Sequence, residues 1–397
     1  MQDQYTDVKD RSAGENWLLA LICPILGVLL LWGSLKFQIE NEYAAAEMKE
    51  ALKTSSGIVA ELNPSTATSL EGKLVHFSSI AHPNAPVQDL ITGATFGALV
   101  VTRKVEMFQW NEDEDSQTEK QIGGGSQTIT TYRYDRTWSE QLIDSNRFAH
   151  ALGHANPSSI PIPTMTIPAA RVTLGSYVVP TDLLSKLQPN SKSLAISPDM
   201  AASAARKLHD KTYAMENVLY IGENPRAPEV GDLKVSYRQT SADTPITVIA
   251  QKFKNTFVAF HPNRSKAAVY LIESGDLTAL DMFKLTQKKQ DEDLFGKRCL
   301  VFLLTFGAIL LFTMPISQLF DTIPFIGDMF DRALVPTAVV LAGLINGIMI
   351  AGIWLRYDPI FSGEIALGVW VVCLIIMACW KLMLGLLRRL GLVRAHK

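Results

Sequence analysis

The sequence has few cysteines, and none of them lies in its polar middle region. The 397 residues include 4 cysteines, Cys23, Cys299, Cys373 and Cys379, and each of them lies in an apolar run. Residues 38–298 therefore hold no disulfide and no cysteine-ligated metal, which excludes the disulfide-rich folds of small secreted domains. We interpret the thiols as small hydrophobic groups inside apolar helices.

The chain also lacks an excess of charge and the short motifs of common enzymes. Lys and Arg total 37, Asp and Glu total 39, and the formal net charge is −2, which gives no support to nucleic-acid binding. There is no G-x-S-x-G motif, P-loop or dinucleotide fingerprint, and the G-G-G-S stretch at residues 123–126 lies in a predicted hairpin tip. We therefore predict no catalytic residue, no cofactor and no enzyme activity.

Four long apolar runs dominate the rest of the sequence, at residues 17–37, 299–320, 333–355 and 365–387. A helix needs about 20 predominantly apolar residues to cross a bilayer. The pattern predicts a membrane α-helical protein with one span before and three spans after a large extramembrane domain. That domain, residues 38–298, is predicted to be α+β and mostly antiparallel β, with a helical stem at each end.

The charges beside the apolar runs predict an orientation. Residues 388–397 form a basic tail that contains Arg388, Arg389, Arg394 and Lys397, and such an excess is typical of the cytoplasmic side. With four spans, residues 1–16 form a cytoplasmic N-terminal tail. The large domain then lies on the non-cytoplasmic side, which is lumenal in a eukaryote and periplasmic or extracellular in a bacterium.

The centres of the predicted spans lack Asp, Glu, Lys and Arg, which argues against a proton-coupled transporter. The third span has Gly343, Gly347 and Ala351 at four-residue spacing, with Asn346 beside them. Small residues let helices approach closely, and Asn can hydrogen-bond across the contact. We predict that these residues pack helices within the bundle or between protomers, so that Gly347→Leu weakens self-association. A polar pore around Asn346 is the alternative.

Residues 315–332, between the second and third spans, have intermediate polarity. Their apolar residues recur at helical spacing, their aspartates lie off that face, and Pro324 interrupts the pattern. This predicts an interfacial amphipathic segment that contacts membrane lipids. The predicted interfacial residues are Ile316, Leu319, Phe320, Ile323 and Phe330.

Two alternating stretches, residues 98–110 and 128–138, predict a long antiparallel hairpin. Residues 111–127 between them are acidic and then rich in glycine. We expect these residues to form a mobile tip, and we interpret their acidic run, residues 112–115, as solvated rather than as a cation site.

Two histidines provide the candidate metal ligands. Residues 145–154 predict a short helix that places His150 and His154 on one face. With His76 or His209 as a third ligand they could bind zinc. The spacing lacks the adjacent Glu of an H-E-x-x-H motif, so our prediction is that no metal is bound, and a site on these histidines is the alternative.

Several motifs resemble the transmembrane protein 43 (LUMA) family. They are G-K-L-V-H at residues 72–76, R-K-V-E-M-F-Q-W at 103–110, the stretch 132–138, G-H-A-N-P at 153–157, E-N-P at 223–225, P-E-V-G-D-L at 228–233 and G-D at 275–276. The resemblance implies a multi-pass membrane protein with a large lumenal domain and no catalytic residues. In animals it implies the endoplasmic reticulum and inner nuclear membrane, association with lamins and emerin, and self-association. Relatives in bacteria imply an inner-membrane location there.

The sequence therefore predicts a non-enzymatic membrane scaffold that self-associates and organises membrane protein complexes. The expected partners are membrane lipids, a second copy of the chain and other membrane proteins, with lamin- or emerin-type partners only in a eukaryote and no nucleic acid. The alternatives are a membrane-tethered enzyme or metal-binding domain that uses His150 and His154, and a small-solute channel.

Overall fold

Long helices lie towards both ends of the chain, and the strands lie mostly between them. The structure, a computed structural model, describes residues 3–11, 13–120, 125–189, 193–262, 265–321 and 326–389. The helices are α1 (Ala13–Ser56), α2 (Thr181–Leu184), α3 (Pro198–Leu208), α4 (Ala279–Asp321), α5 (Ile326–Trp354) and α6 (Pro359–Arg389). The strands are β1 (Asp3–Arg11), β2 (Ala60–Glu61), β3 (Leu74–Pro83), β4 (Val87–Gln88), β5 (Thr95–Phe96), β6 (Ala98–Lys120), β7 (Ser126–Ser139), β8 (Met165–Pro168), β9 (Val172–Leu174), β10 (Tyr177–Val179), β11 (Thr212–Met215), β12 (Val218–Ile221), β13 (Leu233–Ser241), β14 (Pro245–Phe253), β15 (Thr256–Val258) and β16 (Leu271–Ser274).

The chain forms two compact units. The first contains residues 1–9, 51–118 and 128–286, and the second contains residues 10–50, 119–127 and 287–397. The predicted domain, residues 38–298, is therefore larger than the first unit. Its helical stems, residues 38–50 and 287–298, group with the long helices because each continues an apolar helix without a break.

The strands confirm a mostly antiparallel β domain. One sheet has the order β1-β7-β6-β13-β12-β11, with β8 also paired to β6, and a second has the order β16-β14-β15-β10-β9-β3-β2, with β14 also paired to β3. The described pairs β10–β15 and β2–β3 are parallel. Apolar side chains of both sheets form one core, which includes Val75, Val101, Val235, Val248 and Phe257.

The predicted hairpin is longer than its alternating sequence indicates. Residues 112–115 continue β6, so the acidic run belongs to a strand rather than to a loop tip. Hydroxyl pairs across the hairpin explain this extension: Ser116 contacts Thr130 at 2.9 Å and Thr118 contacts Thr128 at 3.0 Å. Charged residues are compatible with an exposed strand when their neighbours hydrogen-bond across it. Residues 121–124, at the predicted tip, lie outside the described residues.

The first residues of the chain are more ordered than the predicted tail. Residues 3–11 form β1, which lies at the edge of the first sheet beside β7. These residues show no apolar alternation, because the side chains of β1 are almost all exposed.

Three described helical stretches are long and apolar enough to cross a membrane: Leu18–Ser56, Ala279–Ser317 and Leu334–Trp354. A shorter apolar stretch, Pro359–Ile375, lies in α6. Large apolar side chains such as Leu21, Ile25, Leu303 and Ile348 are exposed along these helices. Such surfaces are stable in contact with lipid.

The predicted interfacial segment is divided between two helices. α4 continues through Pro315 to Asp321, and α5 begins at Ile326. Ile316 has an exposed side chain. The side chains of Leu319, Phe320 and Phe330, and the whole of Ile323, lie outside the described residues. The interfacial role therefore stays a prediction.

Gly27 marks a close approach between α1 and α4. A Cβ built on Gly27 would lie 2.9 Å from the backbone O of Ala308, whereas a Cβ on Gly33 would meet nothing within 4 Å. The absence of a side chain at Gly27 is therefore what allows the two helices to approach.

We expect Gly27→Ala to destabilise the helical unit by about 1–3 kcal/mol, because the added methyl group overpacks a tight contact. Gly33→Ala is the matched control in the same helix, where the change should be neutral or slightly stabilising. Thermal unfolding of both variants in the same detergent measures the difference. Equal shifts for the two variants would contradict the close approach.

Candidate functional site

The two candidate histidines lie in a histidine–aromatic cluster, formed by Tyr5, Trp110, Tyr134, His150 and His154. The residues before His150 form only a short 3-10 turn, Ser145–Arg147, so the predicted helix over residues 145–154 is wrong. Asp144 caps that turn by accepting a hydrogen bond from the Asn146 N–H, and the chain then leaves the helical path. The two imidazoles are therefore not arranged by an i, i+4 helical spacing.

Aromatic rings surround both imidazoles. His154 is buried and stacks on Tyr134, with ring centroids 4.0 Å apart, and the Trp110 ring meets it edge-on at 4.8 Å. His150 stacks on Tyr5 at 4.5 Å. The His154 Nδ1 lies 2.9 Å from the His150 backbone O, and its Nε2 lies 3.2 Å from Asp3 Oδ2. Both nitrogens of His154 thus have polar partners within the chain.

His76 and His209, the candidate third ligands, have other contacts among the described residues. His76 pairs with Glu61 through Nδ1 at 2.7 Å and with the Leu277 backbone O through Nε2 at 2.8 Å. His209 ends α3 in a left-handed conformation. Within the described residues, no group of three or more His, Cys, Asp or Glu side chains converges as a metal site would. The geometry of the histidine–aromatic cluster favours stacking of its rings over metal binding.

Tyr134 joins the histidine–aromatic cluster to the acidic part of β6. Its hydroxyl donates to Glu112 and accepts a hydrogen bond of 2.9 Å from the His150 N–H. Desolvation, together with the hydrogen bond to Glu112, raises the pKa of the Tyr134 phenol to about 12. The phenol stays protonated at neutral pH and keeps donating to the carboxylate. Glu112 also accepts from the Ala149 N–H at 2.7 Å, so one carboxylate holds both the strand and the loop.

A buried ion pair lies inside the β domain. Arg103 and Asp89 are each 1% exposed at their side chains, and Arg103 Nη1 donates to Asp89 Oδ1. Arg103 also donates to the Pro163 backbone O from Nε at 3.1 Å and from Nη2 at 2.9 Å. Tyr237 donates to Asp89 at 2.7 Å. Sequence alone does not reveal this pair, because Arg103 occupies an ordinary inward position of an alternating strand.

The balance around Asp89 favours its charged form. Burial by itself raises the pKa of the Asp89 carboxyl, but hydrogen bonds from Tyr237, Arg103 and the Ile91 N–H outweigh it, and the net pKa is lowered. A buried carboxylate with this many donors is a structural anchor.

The residues that carry the family resemblance are mostly structural. The Asn156 side chain accepts from the Trp110 N–H at 2.7 Å and donates to the Trp110 O at 2.9 Å, so it substitutes for a neighbouring strand. Gln109 binds the same loop by donating to the Gln141 O and accepting from the Ile143 N–H. Asp232 accepts from the Tyr220 hydroxyl and from the Glu229 N–H. These motifs fix loops against strands.

The long helices contain a polar bundle network, formed by Ser34, Gln38, Glu42, Arg298, Thr305, Asn346 and Trp354. Glu42 is 1% exposed and accepts two hydrogen bonds from Arg298, at 2.6 and 2.7 Å. It also accepts from Trp354 Nε1 at 2.7 Å. The Glu42 carboxylate therefore links α1 to both α4 and α5. Sequence alone does not indicate the contact between Glu42 and Arg298, because both residues lie just outside the predicted spans.

Asn346 continues the polar bundle network further along α5. Its backbone O accepts from Gln38 Nε2 at 3.2 Å, its Oδ1 lies 3.5 Å from the Thr305 hydroxyl, and its Nδ2 donates to the Ala342 O. Ser34 contacts the Thr305 hydroxyl at 3.3 Å. These hydrogen bonds join Asn346 to side chains of α1 and α4, which favours packing of the bundle over a polar pore.

The three small residues predicted to pack α5, Gly343, Gly347 and Ala351, differ in their contacts. A Cβ on Gly347 would lie 2.7 Å from Val369 Cγ2 of α6, so Gly347 packs inside the chain. Ala351 is half-buried, and its backbone O accepts from the Ser362 hydroxyl of α6. Gly343 is exposed, and a Cβ there would meet nothing within 4 Å. Gly347→Leu would therefore disturb α5–α6 packing within the chain. Its effect on the oligomeric state would not measure self-association alone.

Comparison with known proteins identifies the family. The profile of the family described as Transmembrane protein 43 matches residues 107–359. The chain belongs to the transmembrane protein 43 family. It is 29% identical to human Transmembrane protein 43 over 332 residues, which cover 80% of this chain and 81% of that protein. The mouse protein is 28% identical over 331 residues, with 80% of each chain covered.

A more distant relative covers still more of the chain. The Drosophila melanogaster protein named Transmembrane protein 43 homolog is 25% identical over 365 residues, which cover 89% of this chain and 93% of that protein. No solved structure matches the chain. The transmembrane protein 43 family match and the apolar helices together identify an integral membrane protein, as the sequence resemblance predicts.

Proposed function

We propose that the chain is a non-enzymatic membrane scaffold that self-associates and organises membrane protein complexes. In this proposal the four helices α1, α4, α5 and α6 all cross the bilayer, and the β domain lies on the non-cytoplasmic side. The membrane is a bacterial inner membrane or, in a eukaryote, the endoplasmic reticulum or inner nuclear membrane. Lamin- or emerin-type partners apply only to the eukaryotic case.

The use of the buried charged groups supports a structural role. Glu42 binds three helices together, and Asp89 binds Arg103 and Tyr237 in the core. Enzymes usually aim such groups into a cleft where they meet a substrate. Here each carboxylate has its partners within the chain.

One observation supports self-association: Gly343 is exposed, whereas Gly347, one turn further along α5, packs against Val369 of α6. A small residue on an exposed helix face lets a second helix approach closely in a bilayer. Because the described contacts of the chain leave Gly343 uncovered, its face is available to a second copy.

We expect Gly343→Leu to shift the full-length protein towards its 43.8 kDa monomer in detergent. Gly352→Leu is the matched control, because Gly352 is also open and lies on the opposite side of α5, nine residues away at about 100° per residue. Native mass measurement over a dilution series gives the dissociation constant. A wild-type protein that is monomeric throughout, or equal effects of both substitutions, would overturn this form of the proposal.

A further inference from the structure

β1 is held at the sheet edge without contributing to the core. Eight of its nine residues are exposed and the ninth is half-buried. Its attachment therefore depends on backbone pairing with β7 and on a few side-chain contacts. An exposed sheet edge can also accept an extended segment of another chain by strand addition.

The side-chain contacts of β1 follow the strand period. Asp3 Oδ2 lies 3.2 Å from His154 Nε2, and Asp7 Oδ2 lies 3.2 Å from His150 Nε2. Between them, Tyr5 stacks on His150 and meets Tyr134 edge-on at 5.8 Å. Residues i, i+2 and i+4 of a strand share one face. The residues beside the β7 edge therefore contact a carboxylate, an aromatic ring and a second carboxylate at alternate positions of β1.

Chain connectivity sets a condition on this pairing. β1 ends at Arg11, and α1, which begins at Ala13, contains the apolar stretch from Leu18. If that stretch crosses the bilayer, β1 and the residues after Ser56 emerge on opposite faces. A polar sheet edge does not run through the hydrocarbon region. Pairing of β1 with β7 and crossing by α1 are therefore mutually exclusive.

We propose that the β7 edge forms a docking site for an extended segment of another protein, together with the Trp110, Tyr134, His150 and His154 side chains of the histidine–aromatic cluster. That segment carries an aromatic side chain between two carboxylates, at the spacing that β1 displays. The site is vacant when α1 spans the bilayer, so the partner lies on the same side of the membrane as the β domain. This inference rests on the proposed opposite placement of the N-terminus and the β domain.

The chemistry of the site matches this partner. Backbone groups of an edge strand supply affinity for any extended segment, and pockets at alternate positions supply selectivity. The imidazole of His154 hydrogen-bonds a carboxylate through Nε2, and the buried His150 Nε2 makes no hydrogen bond among the described residues and lies 3.2 Å from one. Tyr134 and His150 offer ring faces and edges to an aromatic side chain.

The test uses a fluorescent peptide with the sequence of residues 1–11 and the full-length protein in lipid nanodiscs. We expect saturable binding in fluorescence anisotropy. A Tyr5→Ala peptide should bind up to about tenfold more weakly, since it lacks the stacking ring. A Val8→Ala peptide is the matched control, because Val8 is exposed and outside these contacts, and it should bind like the parent peptide. Absent binding, or equal binding of the Tyr5→Ala peptide, overturns the docking site.

A variant without residues 2–11 tests whether the site is vacant. Equal binding of the peptide to this variant and to the wild type in nanodiscs supports vacancy in the inserted protein. Binding only after the deletion would show that β1 fills the site within its own chain, which overturns the proposal.

A labelling experiment separates this inference from the proposed orientation. Thr6→Cys and Leu90→Cys are introduced singly after the native cysteines are replaced by serine, and sealed proteoliposomes are treated with an impermeant maleimide. Leu90 is 76% exposed in the β domain. Labelling from opposite sides supports the orientation, and failed peptide binding would then overturn the docking site alone. Labelling from the same side overturns the orientation and the docking site together.

Discussion

Replacing Arg103 by methionine is expected to lower the free energy of unfolding of the β domain by about 3–5 kcal/mol. The substitution keeps most of the apolar volume but leaves Asp89 charged, buried and without its cation. The Pro163 carbonyl also loses both of its guanidinium donors. Heat or denaturant unfolding of the full-length protein in detergent, followed by near-ultraviolet circular dichroism, measures the loss.

Lys104→Met is the matched control for this prediction. Lys104 is the next residue of β6, its side chain is 32% exposed, and it pairs with Glu140 at 2.7 Å near the surface. Exposed pairs contribute about 0–1 kcal/mol, so the control should change stability little. Equal losses in both variants would contradict the assignment of Arg103 as a buried anchor.

Replacing Arg298 by methionine is expected to destabilise the helical unit by about 3–5 kcal/mol. Glu42 would remain buried with the Trp354 N–H as a donor but without the guanidinium. The double variant Arg298→Met/Glu42→Gln should recover about 2 kcal/mol of that loss, because the carboxylate charge is removed while an acceptor for Trp354 remains. Thermal unfolding and protease resistance in detergent follow the change.

The control for this pair is Lys36→Met. Lys36 also lies on α1, but it is 60% exposed and its ion pair with Glu40 is 3.9 Å long. A loss of stability at Lys36 as large as that at Arg298 would contradict a special role for the Glu42 contact. An additive double variant would contradict direct coupling.

Apolar pattern and length predicted the main divisions of the fold. The long helices and many of the strands follow from runs of apolar residues and from two-residue alternation, which depend only on local sequence. β6 was predicted from residues 98–110, and its extension to Lys120 was not, because the extension depends on pairing with β7. α3 was missed although Ser197 at its N-cap and Pro198 at its first position are strong helix-start signals.

The candidate sites were harder to predict because they depend on contacts between distant residues. The spacing of His150 and His154 suggested a helix, but the intervening residues form turns and the imidazoles pack against Tyr5 and Tyr134. Nothing local to Arg103 indicates that its partner is Asp89. The spacing at Gly347 did indicate close packing, although the sequence could not distinguish α6 of the same chain from a second copy.

The Glu42 contact also sets an order for biosynthesis. Arg298 is 256 residues and Trp354 is 312 residues further along the chain. At about 5–20 residues per second, ribosomes need roughly 13–50 seconds to reach Arg298 after Glu42 has been made. Glu42 therefore has no Arg298 to pair with until the β domain has been synthesised. Chains that terminate before α4 would present an unpaired carboxylate beside an apolar helix.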